Sequence, residues 1–311
     1  MNRGDDRVLR LGTRRSALAQ AQSGLVARAL ETAHPGLRVE LVPIVTEGDR
    51  RPGDLAPLGG KGLFTRELEE GLERGDLDLA VHSLKDLPAR IPEALTLAAF
   101  PRREDPRDAL VSDAGPGLAA LASGDVVLTG SQRRRAQILA LRPDVRVEPL
   151  RGNVETRLRK WRHSGARGTI LAMAGLSRLG LEAVPAHPLE PAEMIPAPGQ
   201  GVLAVQTRKG TEAEALCRLL DHPATALAAR SERAVVRAFG GDCTLPLAAL
   251  AEVTGDTVRL RALLATPDGT RLARGEAVGR NADDVAAACL EAMRDDGADD
   301  VLRALGRPDP A

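Results

Sequence analysis

The chain holds 311 residues in which 43 lysines and arginines balance 43 aspartates and glutamates, and only 1% are aromatic. That length suggests two or three domains at roughly 100–200 residues each; zero net charge argues against a global field drawing the protein to nucleic acid or membrane, and scarce aromatics argue against base stacking. Cys217, Cys243 and Cys289 show neither CxxC nor Cys/His ligand spacing, and no apolar leader or bilayer-length run occurs, so reduced thiols, no metal and a cytoplasmic setting are expected.

In chain order, Leu9 and Leu11 alternate with polar neighbours and lead into Gly12-Thr13-Arg14-Arg15-Ser16, after which Ala17, Leu18, Ala21, Leu25, Ala29 and Leu30 recur at helical spacing. The pattern predicts a strand, a glycine turn, a helix capped by Ser16 and stopped at His34-Pro35-Gly36, and a second strand over 39–45. The stretch 47–62, ending Gly59-Gly60-Lys61-Gly62, reads as a loop whose glycines could let backbone fold over a ligand. A helix from 64 to 72 precedes Leu77, Leu79 and Val81, whose alternation with Asp78 and Ala80 predicts a strand with one buried face. That strand runs into Ser83-Leu84-Lys85-Asp86-Leu87-Pro88, where Pro88 cannot continue a ladder. A strand over 95–100 and a Pro-bounded polar segment over 101–107 follow, the latter a hinge between domains.

From residue 108 the rhythm restarts, with strands over 126–129, 145–150 and 170–173 and helices over 133–141 and 153–163. The segment 185–198, with five prolines, returns the chain to the first domain, where Gly199-Gln200-Gly201 opens a strand over 202–205. Two parallel-sheet α/β domains joined by a double crossover are expected. Helices over 211–220 and 225–239 lead to strands over 247–253, 258–265 and 270–277, separated by short turns. Those strands predict an antiparallel sheet, covered by a final helix over about 282–305. The domains are then 1–101 with 198–221, then 102–197, and a small α+β domain over 222–311.

Arginines gather where strands give way to helices: Gly12-Thr13-Arg14-Arg15-Ser16, Gly130-Ser131-Gln132-Arg133-Arg134-Arg135 and Arg151-Gly152-Asn153-Val154-Glu155-Thr156-Arg157. A helix N-terminus is already positive, so each cation there costs roughly 0.3–1 kcal/mol unless an anion is present. Helix N–H groups and guanidinium forks together suit carboxylates or phosphates. Neither GxxxxGK[ST] nor GxGxxG accompanies them, so planar organic carboxylates are expected rather than nucleotides. Asp86, just past a strand's carboxyl end, is the candidate for chemistry. His82, His163 and His187 stand alone and read as structural. Cys243 lies in the glycine-lined loop Gly240-Gly241-Asp242-Cys243-Thr244-Leu245-Pro246 and can be reached, whereas Cys217 and Cys289 sit in apolar helical surroundings.

Seven blocks, in order and at compatible spacing, give the chain a family resemblance. They are Gly12 to Ser16, Gly59-Gly60-Lys61-Gly62-Leu63-Phe64, Val81-His82-Ser83-Leu84-Lys85-Asp86-Leu87-Pro88, Leu150-Arg151-Gly152-Asn153-Val154, Ala174-Gly175-Leu176-Ser177-Arg178-Leu179-Gly180, Pro198-Gly199-Gln200-Gly201 and Gly241-Asp242-Cys243-Thr244-Leu245-Pro246. Across nearly its whole length the chain resembles the porphobilinogen deaminase (hydroxymethylbilane synthase) family. The resemblance implies two type II periplasmic-binding-protein-like α/β domains plus a small C-terminal α+β domain carrying a covalent dipyrromethane cofactor on Cys243. It implies a transferase of haem and porphyrin biosynthesis that condenses four porphobilinogen molecules head to tail, each losing ammonia, and releases the tetrapyrrole by hydrolysis. By motif position, Lys85, Asp86, Thr129, Ser131, Arg133, Arg134, Arg151 and Gly152 would meet the cofactor. Arg14, Ser16, Arg157, Arg178 and Gln200 would meet substrate. Asp86 would stabilise the azafulvene-like cation left when ammonia departs and handle the pyrrole protons. Lys85 and Asp86 are then two separate contacts rather than one salt bridge.

The chain departs from the family pattern at Pro57-Leu58, at Asp242 before the cysteine and at Arg135, none of which is given a role. A small-molecule substrate, no nucleic acid, no membrane and a monomer are expected. The rival readings are a cytosolic organic-anion-binding protein without turnover, which leaves Cys243 and the third domain unexplained, and a nucleic-acid binder built on the arginines, which the charge balance opposes.

Overall fold

A computed structural model of the chain describes residues 7–46, 65–240 and 245–307. In chain order it contains β1 (Arg7–Arg14), α1 (Ala17–Ala33), β2 (Leu37–Ile44), α2 (Arg66–Arg74), β3 (Leu79–Ser83) and β4 (Leu95–Ala99). Next come β5 (Asp108–Val111), β6 (Val126–Leu128), α3 (Gln132–Leu141), β7 (Arg146–Glu148), α4 (Val154–Arg162), β8 (Gly168–Ala172), α5 (Met173–Arg178) and β9 (Ala186–Pro188). The remainder is β10 (Leu203–Arg208), α6 (Glu212–Cys217), α7 (Pro223–Ala238), β11 (Leu247–Thr254), β12 (Thr257–Ala265), β13 (Leu272–Gly279), α8 (Ala282–Asp295) and α9 (Ala298–Ala304). The chain divides into two compact units, one of Met1–Arg103 with Val202–Ala226, the other of Glu104–Gly201 with Leu227–Ala311.

The sheet of unit 1 has the order β2-β1-β3-β10-β4, with β1 parallel to β2 and β3, and β10 antiparallel to both its neighbours. Leu9, Leu11, Leu79, Val81 and Val205 pack beneath Val26 and Leu30 of α1. On the other face Ala80 and Leu95 meet Leu68 and Leu72 of α2. Each leucine so buried contributes roughly 1.5–3 kcal/mol. Helices therefore cover both faces, and Leu79 through His82 are all buried where alternation had suggested a single buried face.

In unit 2 the first sheet repeats the arrangement as β7-β6-β8-β5-β9, with β6 parallel to β7 and β8 and β5 antiparallel to β8 and β9. Ile138 of α3 packs on one face, and Leu158 and Trp161 of α4 with Leu176 of α5 pack on the other. These are two α/β domains, as expected, but neither sheet is wholly parallel: each takes one reversed strand from a crossover. Sequence pattern missed β5 and β9, which are short, and β9 contains Pro188, tolerated because this strand lies at the sheet edge.

The C-terminal domain is the expected antiparallel sheet, β11-β12-β13. Val258, Leu260, Ala262 and Leu264 of β12 face Val285, Cys289 and Met293 of α8. The alternate residues Leu263 and Ala265 face the other way, with Ala248 and Leu250, and enclose Ala136 of α3 and Ile195. Both faces of this sheet are thus covered, one by its own helices and one by the helix that carries Arg133 and Arg134. Buried Glu232 of α7 adds a polar tie, accepting from Gly199 N at 2.5 Å and Ala251 N at 2.7 Å. The single final helix expected is two, α8 and α9, broken at Gly297, where φ is +92°.

Candidate active site

The sheet of unit 1 delivers its candidates to one edge. Because β1 and β3 are parallel neighbours, Arg14 at the end of β1 and the turn after Ser83 at the end of β3 emerge on the same side. Carboxyl ends of strands are where open α/β sheets take ligands. Gly12, Thr13 and Arg14 belong to β1 itself, so the expected glycine turn is shorter than read, and Ser16 is the N-cap of α1, accepting from Ala19 N at 3.3 Å. After β3 a single 3-10 turn spans Leu84–Asp86. Buried Leu84 and Leu87 anchor it, and Leu84 N donates to Val202 O at 3.0 Å, which leaves Asp86 exposed and Lys85 half-buried.

Beneath that turn runs a buried polar chain. His82 Nε2 donates to Gln206 Oε1 at 2.9 Å, and Gln206 Nε2 donates to Glu69 Oε1 at 3.0 Å. Burial pushes the His82 imidazole down to about 4, an effect that Arg14 reinforces and the Gln206 hydrogen bond opposes. His82 is therefore neutral at physiological pH, with its ring held by Gln206. Burial likewise pushes Glu69 above the ordinary carboxylate range, with Glu73 adding to it and Gln206 opposing.

Unit 2 gathers its candidates by the same logic. Thr129, Ser131, Arg133 and Arg134 follow β6, Arg151 and Gly152 follow β7, and Arg178 follows β8, all on the carboxyl edge of three parallel strands. Ser131 caps α3, accepting from Arg134 N at 3.4 Å, and Asn153 caps α4, accepting from Thr156 N at 2.8 Å. Thr129 Oγ1 accepts from Ser131 N at 3.2 Å, tightening the turn. Arg151 is exposed, while Arg157 is half-buried and its Nε donates to Gly152 O at 2.7 Å. Arg178 Nη2 donates to Gly201 O at 2.7 Å, and burial lowers its pKa.

The anion that two arginines at a helix start call for is the protein's own. Asp108 opens β5, which runs antiparallel to β8, so its carboxylate enters from the edge where α3 begins. Arg134 Nε and Nη2 donate to Asp108 Oδ1 at 3.1 and 2.7 Å, and Arg133 Nη2 lies 2.8 Å from Oδ2 as an ion contact. Gln200 Nε2 also reaches Oδ1, at 2.9 Å, and Pro106 O at 2.7 Å. Burial alone would raise the Asp108 pKa, yet the two guanidiniums and these hydrogen bonds hold it well below the usual carboxylate range. Asp108 was missed in the sequence; its one signal is a charged residue opening the apolar run Ala109-Leu110-Val111.

Cys217 and Cys289 are buried, which pushes their thiols up to about 12 and about 11 and away from the thiolate that nucleophilic attachment needs. Cys243, Asp242 and the Gly59 to Phe64 block lie outside the described residues. Among the described residues no helix is long and apolar enough to cross a membrane.

Comparison with known proteins bears on this arrangement. The family described as porphobilinogen deaminase, dipyromethane cofactor binding domain, matches residues 9–215, and the porphobilinogen deaminase C-terminal domain matches residues 226–295. The chain is 47% identical to a porphobilinogen deaminase of Roseiflexus sp. (strain RS-1), over 96% of this chain and 98% of that one. It is 46% identical to one of Acidothermus cellulolyticus, over 96% and 92% of the two chains. It is 49% identical to one of Sorangium cellulosum, over 86% and 90%. Among solved structures, the methionine binding protein MetQ aligns with 70% of this chain and 90% of its own at 14% identity and a TM-score of 0.42.

Proposed function

The chain belongs to the porphobilinogen deaminase family, and from that premise we propose that it condenses four porphobilinogen molecules head to tail onto a covalent dipyrromethane primer and releases hydroxymethylbilane. In each step the C–N bond of the aminomethyl arm breaks and nitrogen leaves as ammonia. The methylene carbon then bonds the free α-carbon of the preceding pyrrole, which gives up its proton. The observation that carries the reading is the near end-to-end match to porphobilinogen deaminases across both domain descriptions.

The donor set suits a ligand bearing many carboxylates. Arg133 and Arg134 share one carboxylate, leaving a positive charge over, and Arg151 and Arg157 stand on the same sheet edge. The dipyrromethane, when bound, supplies the pyrrole α-carbon from which the chain grows. We assign its attachment to Cys243, since the thiols of Cys217 and Cys289 are buried and protonated. Its carboxylates fall to Lys85, Thr129, Ser131, Arg133, Arg134, Arg151 and Gly152. Arg14, Ser16 and Arg157 take those of incoming substrate. Arg178 and Gln200, whose donors reach Gly201, Pro106 and Asp108, stand with them as substrate contacts.

Asp86, exposed on an anchored turn, is the carboxylate that meets the positive charge developing on the substrate methylene and receives pyrrole protons in turn. In this reading the enzyme is a cytoplasmic monomer that engages neither nucleic acid nor membrane. The test is intact mass with Ehrlich staining of the purified protein, together with porphobilinogen consumption. A mass above the bare 32.8 kDa chain, an Ehrlich-positive adduct and ammonia release are expected. A bare mass with no consumption would overturn the proposal and favour an organic-anion binder.

A further inference from the structure

We propose that Asp108 is the positioning residue of the cofactor-facing arginines, fixing Arg133 and Arg134 against one carboxylate and tying them to the segment by which the chain leaves unit 2. The inference rests on the reading that those arginines meet cofactor carboxylates.

Arg133 and Arg134 are adjacent in the first turn of α3, where the helix end and each other's charge both oppose them. Long side chains so placed would ordinarily turn outward into water. Instead each is about 5% exposed, and Asp108 is fully buried between them. Oδ1 accepts from Arg134 Nε, Arg134 Nη2 and Gln200 Nε2, while Oδ2 faces Arg133 Nη2. Two further donors add to the frame: Arg134 Nη1 to Ile170 O at 2.8 Å and Arg133 Nη1 to Ile195 O at 2.7 Å. Gln137 holds Ile195 from both sides, donating to its carbonyl at 3.0 Å and accepting from its N–H at 2.8 Å. Every bond ends on a strand or on a crossover segment, so neither guanidinium can swing without breaking a buried contact.

The charge count gives the network its purpose. Two guanidiniums against one carboxylate leave one positive charge in a site of low dielectric, where its attraction for an anion is strong. A second internal carboxylate would cancel it, and none would let the two cations part. Asparagine at 108 keeps the shape but removes the charge that holds them together. Glutamate keeps the charge but moves it by one methylene.

The test measures cofactor occupancy by intact mass, together with KM and kcat for porphobilinogen and the melting temperature, in D108N, D108E, R134M and D108N/R134M. D108N and R134M are each expected to lower occupancy, or the rate of holoenzyme formation from porphobilinogen, at least tenfold. The double variant is expected to be no worse than the poorer single variant, because Asp108 acts through Arg134. Folded D108E is expected to raise KM severalfold, and this variant decides the matter if D108N does not fold. Full occupancy and wild-type KM in D108N or D108E, beside a lowered melting temperature, would reduce Asp108 to a structural residue and overturn the inference while the arginine reading stands. Wild-type occupancy and KM in R134M would instead remove the arginine reading on which it rests.

Discussion

Replacing Gly269 with alanine is expected to loosen the C-terminal sheet from α3 and destabilise unit 2 by about 2–5 kcal/mol, summing two structural costs. Gly269 holds φ at +72°, a left-handed conformation that costs an L-residue about 1–2 kcal/mol. A Cβ there would lie 2.5 Å from Ala136 O and 2.7 Å from Ala140 N. Those are backbone atoms of α3 that cannot rotate away, and such overpacking costs about 1–3 kcal/mol. The turn cannot easily rearrange, since Gly269 N donates to Thr266 O at 2.9 Å and Asp268 Oδ1 accepts from Thr270 Oγ1 at 2.9 Å. The assay is urea denaturation followed by fluorescence of Trp161, the one tryptophan, buried against β8 in the same unit. Gly255→Ala is the control: φ there is +62° but nothing lies within 4 Å, so only the conformational cost applies. Equal losses in the two variants would refute the claim that the β12–β13 turn is pressed against α3.

Three further outcomes follow from the candidate site and its surroundings. Asp86→Asn should fold, keep its Ehrlich-positive adduct and change stability by less than about 0.5 kcal/mol, since Asp86 is exposed, while turnover is nearly abolished; a purified variant with wild-type rates would sink the assignment. Cys243→Ser should give the bare 32.8 kDa mass, and an adduct still present would move attachment elsewhere. For His82, whose pKa falls from 6.5 to about 4 on folding, the unfolded chain binds more protons between those values. Its contribution is therefore complete above pH 6.5 and is lost as pH falls towards 4, an effect on the order of 3 kcal/mol. Urea midpoints of wild type and His82→Gln at pH 7 and 4.5 should show a smaller acid loss in the variant; matching losses would mean that His82 is not the group responsible.

Much of this architecture was legible in the sequence because local rules dominate it. Ser16, Ser131 and Asn153 cap helices as residues of their type do, and apolar periodicity located most strands and helices to within a few residues. Where strands were misread, a nonlocal partner had intervened. Leu79 to His82 look alternating until helices cover both faces, and β5 is too short to declare itself without β8 and β9 beside it. The final helix breaks because Gly297 accepts a left-handed turn that periodicity cannot register.

The same division runs through the site. By itself the sequence determined the inventory: arginines after three strands, a carboxylate after another, a cysteine in a glycine loop and blocks in a recognisable order. It could not say which groups meet. Reversal of β5 within its sheet brings Asp108 to the carboxyl edge, where Arg133, Arg134 and Gln200 converge on it across sequence separations of 26 and 92 residues for Arg134 and Gln200. Strand direction and register, set by the burial of both sheet faces, decided that a charge opening an apolar strand became the partner of two cations.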